Sequence, residues 1–147
     1  PVEQVARYLA SKKAEYFRSE IHGDQVIVTA DTVVILNDTI INKPADRAEA
    51  LRMLTELSGK THLVMTGVCI LSAEKEISFD DTTEVTFRNL TSEEIEFYVD
   101  TYKPYDKAGA YGAQDFIGMI AIENINGSYF NVMGLPIHKV YAALKNW

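Results

Sequence analysis

Asp31 interrupts an otherwise apolar stretch, with Val26-Ile27-Val28-Thr29-Ala30 before it and Val33-Val34-Ile35-Leu36 after Thr32. A carboxylate taken out of water costs several kcal/mol unless it is paired, hydrogen-bonded or bound to a metal. Two roles meet that demand. One is an acceptor of backbone N–H groups at a strand end; the other is a metal ligand or general base at a cleft. Thr32 can donate or accept, and alone it passes as an ordinary strand residue. Lys43 precedes Pro44, which holds it extended and aims its ammonium away from the helix that follows. Taken alone, Lys43 and Lys13 fit a solvated loop and a charged helix face equally well.

Two glycine-bounded loops are the other candidates. Asp106-Lys107-Ala108-Gly109-Ala110-Tyr111-Gly112-Ala113-Gln114 has small residues that let a backbone approach a ligand, and successive N–H groups there can cradle phosphate oxygens. Lys107 adds a positive charge, and Gln114 adds a donor and an acceptor. The spacing is not that of a P-loop, and an ordinary tight loop explains it as well. Gly127-Ser128-Tyr129-Phe130-Asn131-Val132-Met133-Gly134-Leu135-Pro136 runs into a helix N-terminus. That is either an anion site or a loop packing Tyr129 and Phe130 into the core. His22, His62 and His138 lack metal-ligand spacing and read as surface or strand histidines. No serine or cysteine nucleophile motif is present.

The elements that must carry these residues follow from periodicity. Residues 2–19 repeat apolar positions at helical spacing. Residues 25–36 read as a strand buried on both faces, and Asn37-Asp38 as a two-residue hairpin turn into 39–41. Asp46 with Glu49 caps a helix through Leu57, closed by Ser58-Gly59. Strands are expected over 61–72 and 76–88, and a helix after the Thr91/Glu94 capping box. A strand is expected over 117–126, and a last helix from Pro136 to near Lys145. The order α-β-β-α-β-β-α-β-α predicts an α/β domain, with α+β the other possibility, around one mixed sheet.

Composition narrows the function classes. The 147 residues carry 14 basic and 21 acidic side chains, a net charge of −7. That leaves no basic excess for a nucleic-acid backbone, whereas a few local lysines can still hold a small anion. The longest apolar runs fall far short of the ~18 residues of a membrane span. The lone Cys69 lies in an apolar run and reads as a buried, inert thiol, which fits a reducing cytoplasm.

Six blocks, in order, resemble the Maf family of septum-formation-inhibitor-like nucleoside triphosphate pyrophosphatases. They are Ala30-Asp31-Thr32-Val33-Val34, Asn42-Lys43-Pro44, Leu57-Ser58-Gly59-Lys60-Thr61-His62, Thr66-Gly67-Val68 and the two glycine-bounded loops. The resemblance spans nearly all of 1–147. It implies a two-lobed fold like that of the inosine triphosphate pyrophosphatases, with a central cleft, often as a homodimer. It also implies cleavage of a nucleoside triphosphate between its α- and β-phosphates, assisted by Mg²⁺ or Mn²⁺. On this basis Asp31 is the catalytic acidic residue and metal ligand, and Lys13 and Lys43 are the lysines of the cleft. Thr32 and Gln114 match positions tied to substrate choice in the branch that takes dTTP and UTP, and Lys107 joins them as substrate-binding. Asp106 or Glu84 is expected to assist with the metal. Family members begin with a strand and a loop bearing a serine and two arginines, and nothing here matches that segment. The expectation is a fragment or a shortened member with weak triphosphate binding. A non-catalytic nucleotide-binding or septation-regulating protein is the alternative.

Overall fold

The computed structural model describes residues 1–147. Five strands form one sheet: β1 (Ile27–Leu36), β2 (Thr39–Ile41), β3 (Thr61–Leu71), β4 (Glu76–Phe87) and β5 (Ile122–Asn126). Their spatial order is β2-β1-β3-β4-β5, and every neighbouring pair is antiparallel. The expected mixed sheet is therefore corrected. Parallel neighbours need a crossover connection, whereas β1–β2 and β3–β4 are joined by tight turns. Asn37 and Asp38 both take positive φ, 51° and 61°, the geometry a two-residue hairpin requires.

Six helices surround the sheet: α1 (Val5–Tyr16), α2 (Arg47–Leu57), α3 (Ser92–Tyr102), α4 (Phe116–Ala121), α5 (Tyr129–Met133) and α6 (Ile137–Lys145). The caps read from sequence are present. The Asp46 side chain accepts from the N–H of Glu49, and Thr91 and Glu94 form a reciprocal capping box. The helix expected over 2–19 is shorter, with single 3₁₀ turns at 2–4 and 18–20 flanking α1. Residues 117–121, expected as strand, are helical; only 122–126 pair with β4. Their continuous apolar run had no period to tell a buried helix from a strand.

Side chains alternate across the sheet, so each face has its own partner. On one face lies α1, whose buried residues are Ala6, Ala10 and Ala14. Its approach is close because Gly67 of β3 has no side chain: a Cβ there would lie 2.3 Å from the backbone of Ala6 and Arg7. On the other face α2, α3 and α4 enclose the main core of 19 buried residues, and α6 packs Val140 on Val68 and Ile70. Cys69 is buried beneath α1, and burial raises its thiol pKa, in keeping with an inert thiol.

Candidate active site

The register leaves most of β1 open on one side. β2 pairs only with Val34–Leu36, so the outer side of Ile27–Val33 has no strand partner. Consecutive residues point to opposite faces, yet Asp31 and Thr32 both reach one cleft because it wraps around this open edge. The expected burial of β1 on both faces holds only for Val33–Leu36; residues 27–32 are half-buried or exposed. Asp31 is thus a cleft-edge carboxylate with its side chain 27% exposed.

Side chains take up the backbone groups of that edge. Lys13 Nζ donates to the Ala30 carbonyl at 3.0 Å, and the Thr32 N–H donates to Asp31 Oδ1, also at 3.0 Å. The other carboxylate oxygen, Oδ2, lies 3.4 Å from Lys13 Nζ. Asp31 therefore accepts a backbone N–H and also lines the cleft.

The cleft has a volume of about 280 Å³. Asp31, Thr32, Lys43, Asp106, Lys107 and Gln114 all line it, along with the Tyr111–Ala113 stretch and Met133-Gly134. Lys13 stands just outside, tied to Asp31. Lys43 and Lys107 are brought together through the backbone, since the Gly109 N–H donates to the Asn42 carbonyl at 3.2 Å. Glu84 is placed elsewhere, on β4 beside Asn126 of β5, so it is no candidate for helping with a metal.

Two hydroxyls fasten the first glycine loop from below. Tyr111 is buried, with its hydroxyl 2.7 Å from His62 Nε2, and Tyr98 accepts from the Gly112 N–H at 3.2 Å while donating to Asp115. His62, expected as an ordinary surface or strand histidine, is fully buried against Phe87 and Tyr111, and its Nδ1 has no partner. Burial lowers its pKa to about 4. Its parity with Val64 and Thr66 along β3 was the available signal.

The loop does not act as a row of free amides. The N–H groups of Lys107, Gly109, Ala110 and Gly112 already donate inside the protein. In the second loop Asn131, Val132, Gly134 and Leu135 donate likewise. That loop forms α5, and it leaves Tyr129 and Phe130 38% and 58% exposed rather than in the core. Its buried polar residue is Asn131, unsuspected from sequence, whose side-chain amide donates to the Val64 carbonyl and to Thr83. Charge for an anion comes from the lysines. Gln114 is exposed at the cleft rim.

The family model described as Maf-like protein matches residues 1–147. The chain belongs to the Maf family. It is 49% identical over 143 residues to the dTTP/UTP pyrophosphatase of Phocaeicola vulgatus, an alignment covering 97% of this chain and 74% of that protein. It is 51% identical over 147 residues to the dTTP/UTP pyrophosphatase of Porphyromonas gingivalis, covering 99% and 74%. The Parabacteroides distasonis protein of the same name is 47% identical over 144 residues, covering 98% and 75%. The antiparallel sheet and its helices are consistent with the Maf fold, and four of the six Maf blocks quoted above meet here. Those around Asp31, Lys43, Lys107–Gln114 and Met133-Gly134 border one cleft.

Proposed function

We propose that this Maf chain hydrolyses dTTP and UTP to the monophosphate and pyrophosphate. The supporting observation is that the open edge of β1 gathers Asp31, Thr32, Lys43, Lys107 and Gln114 around one cleft. Relatives sharing about half its residues carry the name dTTP/UTP pyrophosphatase. Displacement at phosphorus asks little covalent chemistry of a protein. It needs a positioned water, charge neutralisation and a fixed substrate.

Each residue has a role that its position allows. Lys43 and Lys107 neutralise phosphate oxygens. Asp31 keeps Oδ1 on the Thr32 N–H, which fixes the carboxylate plane, and turns Oδ2 toward the reacting water as its proton acceptor. Lys13 holds Oδ2 in place and supplies further positive charge. Thr32 and Gln114 address the nucleoside.

Lys13, Lys43 and Lys107 stand against Asp31 and Asp106, which is far too little positive charge for a triphosphate. No cluster of three or more His, Cys, Asp or Glu forms a metal cage. The donor set fits Mg²⁺ or Mn²⁺ carried in with the nucleotide, because Mg²⁺ binds through one or two carboxylates and substrate phosphates. Asp31, with Asp106, would hold it, and the cation would supply charge neutralisation at the phosphates. A homodimer and a cytoplasmic location belong to the same proposal. No helix is long and apolar enough to cross a membrane.

Product analysis with dTTP, UTP and CTP tests the proposal. Pyrophosphate is expected from the first two. Orthophosphate would indicate a phosphatase, and binding without product a non-catalytic nucleotide sensor.

A further inference from the structure

The contact between Thr32 and Thr66 has a direction. Thr66 is fully buried on β3, and its hydroxyl has two oxygen neighbours, the Asn131 carbonyl at 3.0 Å and the Thr32 hydroxyl at 2.8 Å. A carbonyl only accepts, and a hydroxyl has one proton to give. The approach to Asn131 is a hydrogen bond only when Thr66 places its proton there. Otherwise two buried oxygens face each other with no proton between them, an unfavourable arrangement. Thr66 is then purely an acceptor toward Thr32. The Thr32 proton points inward, and lone pairs alone face the cleft.

The end of this relay is fixed. Asn131 Nδ2 donates to the Val64 carbonyl at 3.1 Å and to Thr83 at 3.0 Å, clamping α5 to the sheet. Gly134 sits over Thr32: a Cβ there would lie 3.7 Å from the Thr32 hydroxyl.

We infer that Thr66 is a specificity-determining positioning residue: through the chain Thr32→Thr66→Asn131 it makes Thr32 an obligate acceptor for an N–H of the substrate base. This deepens the proposed function and rests on it. Phosphate oxygens only accept, so Thr32 has no hydrogen bond to offer them. The imide of uracil or thymine carries an N3–H that Thr32 can take. Cytosine has a bare nitrogen lone pair at the same position, which would face the lone pairs of Thr32.

The test compares wild type, T66V, T66S, T32V and the double variant T32V/T66V. It reads kcat/KM for UTP, CTP and N3-methyl-UTP by pyrophosphate release, and Kd for the α,β-imido analogues of UTP and CTP by calorimetry. Folding is followed by circular dichroism. The UTP-to-CTP ratio is expected to fall roughly tenfold in T66V, the scale of one hydrogen bond. It should be kept in T66S, lost in T32V, and lost no further in the double variant. An unchanged ratio in folded T66V, or an equal loss in T66S, overturns the relay. So does wild-type turnover of N3-methyl-UTP equal to that of UTP, a measurement that needs no variant. If no nucleotide releases pyrophosphate, the proposed hydrolysis fails, and the binding ratio alone judges the relay.

Discussion

The ammonium of Lys13 lies 3.4 Å from a carboxylate oxygen of Asp31 and donates to the carbonyl of Ala30, the residue before it. One side chain from α1 thus grips the backbone and the acid of β1 together. The Lys13 side chain is 53% exposed, and exposed ion pairs contribute only about 0–1 kcal/mol to stability. Lys13→Ala is expected to leave the melting temperature nearly unchanged while lowering kcat/KM for dTTP. A loss of stability matching the loss of activity would show that the lysine is merely structural.

Asp31→Asn should keep the fold, because an amide oxygen can still accept from the Thr32 N–H. It removes the proton acceptor, a change worth about 10²–10⁴ in rate. Turnover of dTTP within a few-fold of wild type would exclude Asp31 as the base.

Gln114→Leu should change the base preference without changing stability. The side chain is exposed and has no partner in the protein, and such substitutions usually stay within about ±0.5 kcal/mol. Its amide becomes costly to leave unpaired only when a base covers it. The measurement is kcat/KM for dTTP, UTP and CTP beside a thermal melt. An equal shift for all three nucleotides would show that Gln114 does not read the base.

His62 predicts a pH dependence of stability. Its folded pKa of about 4 lies below the ordinary 6.5, so the unfolded chain takes up a proton that the folded chain refuses. The His62 contribution is complete above pH 6.5, declines as the pH falls toward 4, and levels off below that. The depth of the decline is about 3 kcal/mol by linkage. Denaturant unfolding between pH 7 and 4 should show it, and His62→Phe should flatten that part of the curve. An unflattened curve would assign the decline to other groups.

Gly67→Ala puts a methyl where the backbone of Ala6 and Arg7 already stands. Overpacking of this kind costs about 1–3 kcal/mol. Because the helix must retreat, activity should fall along with the melting temperature, unlike in Lys13→Ala.

Much of the fold was legible because local signals agreed with the final packing. The turn at Asn37-Asp38 and the caps at Asp46 and Thr91 lie where composition placed them. Residues 117–121 are helical where a strand is expected, because an apolar run without polar punctuation has no period. At the site, Asp31 stood out as a charge in an apolar strand, whereas the significance of Lys13, Lys43, Thr32 and Gln114 came from the family resemblance. Thr66, Asn131, Tyr98 and His62 were not singled out as parts of the site. Their importance arises from pairings across strands and loops, such as Thr66 with Asn131, and a sequence shows a hydroxyl without showing what it faces. The open edge of β1 was legible only in part: the short strand 39–41 is expected from sequence, but that no other strand lies on that side of β1 depends on the order of the sheet.

The alanine stripe of α1 has a consequence for how the site is lost. Ala6, Ala10 and Ala14 fit closely against the sheet but offer little apolar surface, and the clusters they join have 4 buried residues each against 19 on the opposite face. The free energy of detaching this helix is therefore well below that of opening the main core. Amides of α1 should exchange their hydrogens sooner than those of β3. During such an opening Lys13 leaves Asp31 while the rest of the cleft stays assembled, so heating should silence the protein before it unfolds it.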